Sequence, residues 1–370
     1  MLTSGTRWLT SVSQAWMTAR FEVAWLFGTL AGAAVLVIVG LARGLSFHGD
    51  EWAYIVDRRL TLESMLQPHN EHLAFLHVLV YRGLVETVGV ASYVPYLLVL
   101  ALLHVVAAAG VLVLLRAHLP ATPAMAATVL FLFLGTGFDN LVWGFQIGFV
   151  GASAAGIWAL AAAPRPRLAA ALLGVAVWTQ GNGLFFVLPL ALLVPRRRWL
   201  AVPLVTYAAW FILARPAATL PPDVGSFLAY GSTVIASAFG GVTGAGPALG
   251  GLVALGVGVV LLGAARRGTM PHVVLAGLAG LASEAIILAF GRAHFGWDQA
   301  LAPRYVYVAA PFIFMLLPAL RIGWRPAWSA LFALALAVNV ATLPYGVAVY
   351  HAFLNYDRSI PLEERLTPFR

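Results

Sequence analysis

Long runs without a single charge, separated by short loops whose only cations are arginines, make up most of this chain. A run of about 20 apolar residues is what a helix needs to cross a hydrocarbon core about 30 Å thick. Only 10% of the 370 residues are charged and 61% are hydrophobic, where soluble domains carry roughly 25% charged residues. The sequence therefore reads as one integral-membrane domain over residues 1–370, all-α, a polytopic transmembrane helix bundle. No lysine occurs, which excludes a lysine base, a Schiff base and an ammonium clamp on phosphate. No cysteine occurs, which excludes disulfides, thiolate zinc sites and a cysteine nucleophile. The net charge of +8 would suit nucleic acid on a soluble protein. Here the arginines sit in short loops and read as an orientation signal, with no nucleic-acid partner. No cleavable signal peptide is apparent.

Arginines mark five loops, at Arg116, at Arg165 and Arg167, at Arg196 to Arg198, at Arg266 and Arg267, and at Arg321 and Arg325. Placing all five inside gives about eleven spans by the length rule. They fall near 22–43, 93–116, 121–138, 145–163, 167–181, 183–195, 198–214, 246–264, 271–291, 304–320 and 326–349. Residues 1–21 read as an interfacial helix with Trp8, Val12 and Trp16 on one face. Residues 44–92 form a first outer loop with two juxtamembrane surface helices. The first covers 51–66, with Trp52, Ile55 and Val56 as its apolar face. The second covers 73–89, short and carrying the i,i+4 pair Arg82 and Glu86. Residues 215–245 form a Pro- and Gly-rich outer loop with one further surface helix, and 350–370 form an outer tail. On this topology nearly all acids fall outside; Glu22 lies at an inner boundary and Glu284 within a span.

The stretch Ser46–Leu73 carries five of the fourteen acidic residues and three of the nine histidines. Charge beside a membrane boundary is costly and marks a candidate site. Four outer segments bring candidates together: His48, Asp50 and Glu51; His69, Glu71 and His72; Asp139, Asn140, Trp143 and Gln146; and Arg292, His294, Asp298, Gln299 and Arg304. Gln180 and Asn182 close the ring. A carboxylate there can take a proton from a hydroxyl nucleophile. Guanidinium groups can hold a phosphate through forked hydrogen bonds. The pair suits attack of an acceptor hydroxyl on a sugar carried by a lipid phosphate, with arginine stabilising the leaving phosphate.

Each candidate also has a plainer reading. Asp50 and Glu51 can cap a helix. His69 and His72 can be solvated, or can join Asp50 around a divalent cation (magnesium or manganese), though that set lacks a fourth ligand. Arg292 and Arg304 can be interfacial anchors. His77 and His104 read as packing residues, Glu284 as an internal partner, and the tryptophans and tyrosines at span ends as a belt.

An acid pair just after the first span, two surface helices, and an aspartate at the outer end of a later span resemble the GT-C superfamily of integral-membrane glycosyltransferases. That superfamily includes the protein O-mannosyltransferases and the aminoarabinose transferases of lipid A. Asp50-Glu51 matches its Asp-Glu pair, and QPHNEHLAFLHVLVYRGL is similar to its proline-led second surface helix. Asp139 stands where it has a second outer-loop acid. GVAVWTQGNGLFFVLPL resembles a turn that usually reads Thr-Lys-Gly; Gln180 replaces the lysine, which moves the expected phosphate contact to Arg292 and Arg304. The resemblance spans roughly the first 200 residues. It implies a polyprenyl-phosphate sugar donor and a cell-envelope glycan, lipid or protein acceptor. It also implies Asp50 as catalytic base, with Glu51 and Asp139 completing the catalytic group. His48, His69, Glu71, His72, Gln146, Gln180, Asn182 and His294 would then contact substrate. The Ala-, Leu- and Arg-rich composition points to a bacterial plasma membrane, with the site facing the periplasm or exterior. The rivals are a lipid or polyprenyl-linked substrate transporter or flippase, which needs polar residues at mid-membrane, and a membrane-bound acyltransferase, which needs a histidine deep in the bundle.

Overall fold

Glu22–Ala42 is the first stretch long and apolar enough to span, and both long and short helices follow it. The computed structural model describes the backbone of residues 4–216, 221–320 and 326–359, and the side chains of 22–216, 221–320 and 326–355. Fifteen α-helices occur among the described residues. They are α1 (Ser4–Ala42), α2 (Leu62–Leu66), α3 (Phe75–Val88), α4 (Val94–Arg116), α5 (Ala121–Leu132), α6 (Asp139–Val142), α7 (Ile147–Ala161), α8 (Pro166–Thr179), α9 (Val187–Leu193), α10 (Ala201–Ala214), α11 (Val224–Thr243), α12 (Gly246–Arg266), α13 (His272–Arg292), α14 (Pro303–Phe314) and α15 (Pro326–Ser359). The backbone from Ser4 is continuous with α1, while the side chains that would make 1–21 interfacial lie outside the described residues. The tail expected from 350 is helical as far as Ser359, and 360–370 lie outside the described residues.

Seven of these helical stretches are long and apolar enough to cross a membrane. Six coincide with expected spans: Glu22–Ala42, Val94–Arg116, Gly144–Ala161, Gly246–Arg266, His272–Phe295 and Pro326–Asn355. Five other expected spans fold as α5, α8, α9, α10 and α14, none longer than 14 residues. At 1.5 Å per residue these reach about 21 Å at most, short of the core thickness. The break after α5 lies inside protein, with the chain at Gly135 against the Asn339 backbone of α15. There, irregular backbone can be satisfied without water, the condition for non-helical chain at membrane depth.

The seventh, Val224–Thr243, lies where the sequence indicates an outer loop. Asp223 caps it, accepting from the Ser226 N–H at 3.0 Å, the kind of start an Asp N-cap provides. Its glycines place it. Gly231 faces Ala285 and Ala289 of α13, Gly241 faces Val306 of α14, and the Gly241 carbonyl lies 3.0 Å from the Thr136 hydroxyl. Both contacts fall on the halves of α13 and α14 that lead to Arg292 and Arg304. The helix is thus packed against α13 and α14 as part of the bundle.

The stretch after α1 departs from the expected amphipathic helix. Residues 51–57 form one and a half turns ending in a π-helical segment, Ala53–Asp57, and the chain extends at Arg58 before α2. The buried face is Glu51, Tyr54 and Arg58, while Val56 is exposed. Arg58 causes the break. Its guanidinium turns inward and donates to the carbonyls of Ser64 (2.8 Å), Gln67 (3.0 Å) and Pro68 (2.6 Å). The second element, α3, is a 14-residue helix carrying the Arg82–Glu86 ion pair. Its length of about 21 Å is again short of a crossing.

A buried polar knot joins three distant segments. Asn339 Oδ1 of α15 accepts from the Thr136 N–H (3.1 Å) and hydroxyl (2.8 Å), and its Nδ2 donates to Ala335 O (2.9 Å) and to Gly241 O (3.3 Å). The chain at Gly135 passes so close that an added Cβ would stand 1.9 Å from the Asn339 carbonyl oxygen. Asn339→Leu leaves the Thr136 N–H without its acceptor, while the Thr136 hydroxyl keeps its bond to the Gly241 carbonyl, at a cost of about 1–3 kcal/mol. The expected outcome is a clear fall in thermal midpoint in detergent, with Leu331→Ala on the exposed face of the same helix changing it little.

Candidate functional site

A cavity of about 540 Å³ lies where α8 and α13 end and α14 begins. Asp50, His69, Glu71, His72, Trp143, Gln146, Gln180, Asn182, Arg292 and Arg304 all line it, so ten sequence candidates from five segments meet in one place. Glu51, Asp139, His48 and His294 do not.

Glu51 has no exposed surface. Its carboxylate accepts from the hydroxyls of Tyr81 (2.8 Å) and Tyr93 (2.9 Å) and from the His48 N–H (3.0 Å). Burial raises its pKa from 4.5 to about 7, against the pull of these donors. It shapes the site from behind, holding the turn that presents Asp50. The Tyr93 hydroxyl also accepts from the Gly144 N–H at 2.6 Å, which brings the Trp143–Gln146 segment into line. Asp139 is buried behind Arg304: one oxygen lies 3.7 Å from the Arg304 guanidinium, the other accepts from the Tyr350 hydroxyl at 2.9 Å. Burial raises its pKa, partly offset by the Arg304 charge and the Tyr350 bond. Asn140 Nδ2 donates to the Arg304 carbonyl at 2.9 Å, so the DN pair grips that residue from two sides. The His48 ring stacks on Trp143 at 5.2 Å. His294 is exposed, packed on Phe295 at 3.9 Å.

His69 and His72 close a tight turn through paired backbone hydrogen bonds, His69 N–H to His72 O at 3.0 Å and His72 N–H to His69 O at 3.1 Å. Asn70 takes the positive φ of 53° that the turn requires, a conformation asparagine tolerates. The turn points Glu71 at Arg292, with Oε1 2.7 Å from Nη2. His72 Nε2 lies 3.2 Å from both groups; which ring nitrogen holds the proton decides whether it accepts from the guanidinium or donates to the carboxylate. Burial disfavours the Glu71 charge, but the hydrogen bond and charge of His72 and the charge of Arg292 outweigh it and hold the pKa down to about 2. Gly181 backs this group: a Cβ there would stand 2.5 Å from His72 Nδ1. Burial lowers the pKa of His69, which packs against Tyr54 and Phe145.

The other wall is apolar, formed by Phe149, Leu184, Phe185, Phe211 and the α13 residues Ile286 to Leu288 and Phe290. Phe211, Ile286 and Phe290 in this wall are exposed, so the cavity has an open apolar edge between α10 and α13. Gln146 Oε1 and Asn182 Oδ1 are buried acceptors with no hydrogen bond from the protein. The Asn182 amide is held in place, with Nδ2 donating to Phe149 O and Ser153 Oγ at 3.0 Å each. Among the described residues, no group of three or more His, Asp or Glu converges as a cation cage. Of the set Asp50, His69 and His72 read from the sequence as able to hold a divalent ion, His72 has its Nε2 3.2 Å from the Arg292 guanidinium.

Sequence reasoning missed Tyr81, Tyr93 and Tyr350, which hold the two buried acids, and Arg58, which shapes the loop. The tyrosines sit where belt residues sit, and no local pattern separates the two roles. No family model, no curated protein and no solved structure matches this chain.

Because the Glu51 carboxyl binds its proton more tightly folded than unfolded, it contributes stability at low pH that is lost as pH rises from about 4.5 through about 7. The effect is on the order of 3 kcal/mol at most. Thermal midpoints of the wild type should fall between pH 5 and pH 8 more steeply than those of Glu51→Gln.

Proposed function

We propose that this protein transfers a sugar from a polyprenyl-phosphate donor to an acceptor hydroxyl at one membrane face, as a glycosyltransferase of GT-C type. The observation that carries the reading is the division of one cavity into a polar wall with carboxylate and guanidinium groups and an apolar wall with an open edge. A ligand matching both walls has a charged, hydroxylated head and a hydrocarbon tail. A soluble nucleotide sugar has no use for the open apolar edge.

In this reading the tail lies between α10 and α13, and the phosphate faces Arg292 and Arg304. The sugar hydroxyls donate to Gln146 Oε1 and Asn182 Oδ1. Asp50, exposed at the cavity rim, accepts the proton of the acceptor hydroxyl as its oxygen bonds to the anomeric carbon. The bond from that carbon to the phosphate oxygen breaks, and the electron pair leaves with polyprenyl phosphate. The two guanidinium groups stabilise the charge that grows there. Glu71 and Asp139 fix those groups by ion pairing, which lowers the reorganisation needed at the moment of reaction. The acceptor is a cell-envelope glycan, lipid or protein, and the site faces the periplasm or exterior of a bacterial plasma membrane.

Purified protein incubated with radiolabelled polyprenyl-phosphate sugars should release polyprenyl phosphate. Asp50→Asn should lower turnover by about a hundredfold or more while donor binding stays within a few-fold of wild type. Wild-type turnover in that variant would remove Asp50 from the mechanism. Asp139→Asn, which loosens Arg304 without touching substrate, should lower turnover by about tenfold and leave the pH profile governed by Asp50 unchanged.

A further inference from the structure

At the end of α8, α9 and α10 away from the cavity, a second depression of about 400 Å³ is lined by Arg165, Arg167, Arg196, Arg198, Leu168 and Trp199. It is remote from the first. α8 begins at Pro166 in this depression and ends at Thr179, beside the cavity residue Gln180; its 14 residues separate the two by about 21 Å.

Four guanidinium groups from two different loops converge here. None has a carboxylate partner or a hydrogen bond among the described residues, whereas Arg292, Arg304 and Arg82 near the cavity are each paired with an acid. Trp199 holds two of them in place: Arg167 lies 4.8 Å and Arg198 5.6 Å from its ring centroid. Cation–π contact of this kind orders a guanidinium without neutralising it. The first turn of α8, with its free N–H groups, opens into the same depression and adds positive potential. Like charges brought together without a counter-charge repel, and an anion relieves that repulsion. The neighbouring surface is hydrocarbon. Leu168 and Val175 on one face of α8, and Val202 and Val205 of the adjacent α10, are all exposed.

We infer that this depression is a binding site for an anionic phospholipid, its phosphate held by Arg165, Arg167, Arg196 and Arg198 and its acyl chains along the exposed faces of α8 and α10. Basic pockets beside membrane helices recognise phosphate headgroups in this way. The adjoining hydrocarbon selects a lipid over free phosphate. The inference does not depend on what the first cavity does.

The test is native mass spectrometry of the detergent-purified protein titrated with cardiolipin, phosphatidylglycerol or phosphatidylcholine. The two anionic lipids should bind with a saturable first site, and phosphatidylcholine should not. Arg196→Gln with Arg198→Gln, both on an exposed loop, should weaken that first site by at least about tenfold. Arg266→Gln with Arg267→Gln, also at the end of the bundle away from the cavity but outside the depression, should leave it within twofold. Size-exclusion profiles establish that both variants are folded; if the loop pair misfolds, Trp199→Leu serves as the second probe and should weaken binding in the same direction. Equal loss in the two arginine pairs would show a general charge effect and overturn the proposal. So would displacement of bound cardiolipin by millimolar inorganic phosphate alone.

Discussion

A carboxylate enclosed by tyrosine hydroxyls holds the site end of this molecule together. Glu51 lies at the junction of four segments: its own turn after α1, α3 through Tyr81, the start of α4 through Tyr93, and the Trp143–Gln146 segment through the Gly144 contact of the same Tyr93 hydroxyl. A buried carboxyl is tolerated only with several donors, and three are supplied within 3.0 Å. One residue earlier in the chain, Asp50 remains exposed. Neighbouring acids thus have opposite environments, one dry and enclosed and one wet. The difference arises from the helical turn, which sends successive side chains about 100° apart.

The same logic appears in the arginines of the cavity. Each guanidinium has one edge on a carboxylate, Arg292 on Glu71 and Arg304 on Asp139, and has further N–H groups to offer. Ion pairing of this kind fixes the plane of the fork and lowers the local net charge. The cavity therefore keeps directional donors without a strong unopposed field. At the far end of α8 the arginines are arranged the other way, clustered and unopposed, and only an aromatic ring orders them.

How much of this could be read from the sequence depended on the length scale. The all-helical, membrane-embedded class followed from uncharged runs, and six of the spanning helices lie where those runs indicated. The gathering of Asp50, His69, Glu71, His72, Gln146, Gln180, Asn182, Arg292 and Arg304 around one cavity followed from sidedness, since polar residues at one end of a bundle have few places to go. Among the described residues seven helices reach spanning length against eleven spans counted, because hydropathy does not distinguish a helix facing lipid from one ending against another chain segment, as α5 does at Gly135. The Val224–Thr243 helix was hidden by its glycines, which break helices in water but permit close packing between helices in a bundle. Glu51 could not be told from Asp50 by type or position, because burial there is decided by Tyr81 and Tyr93, thirty and forty-two residues away.

The open apolar edge between Phe211 on α10 and Ile286 and Phe290 on α13 changes the units in which this protein meets any lipid-tailed ligand. A molecule that arrives through the bilayer is confined to two dimensions, so encounter depends on its mole fraction among lipids. Dilution of the surrounding water leaves that quantity untouched, whereas added detergent or bulk lipid reduces it directly.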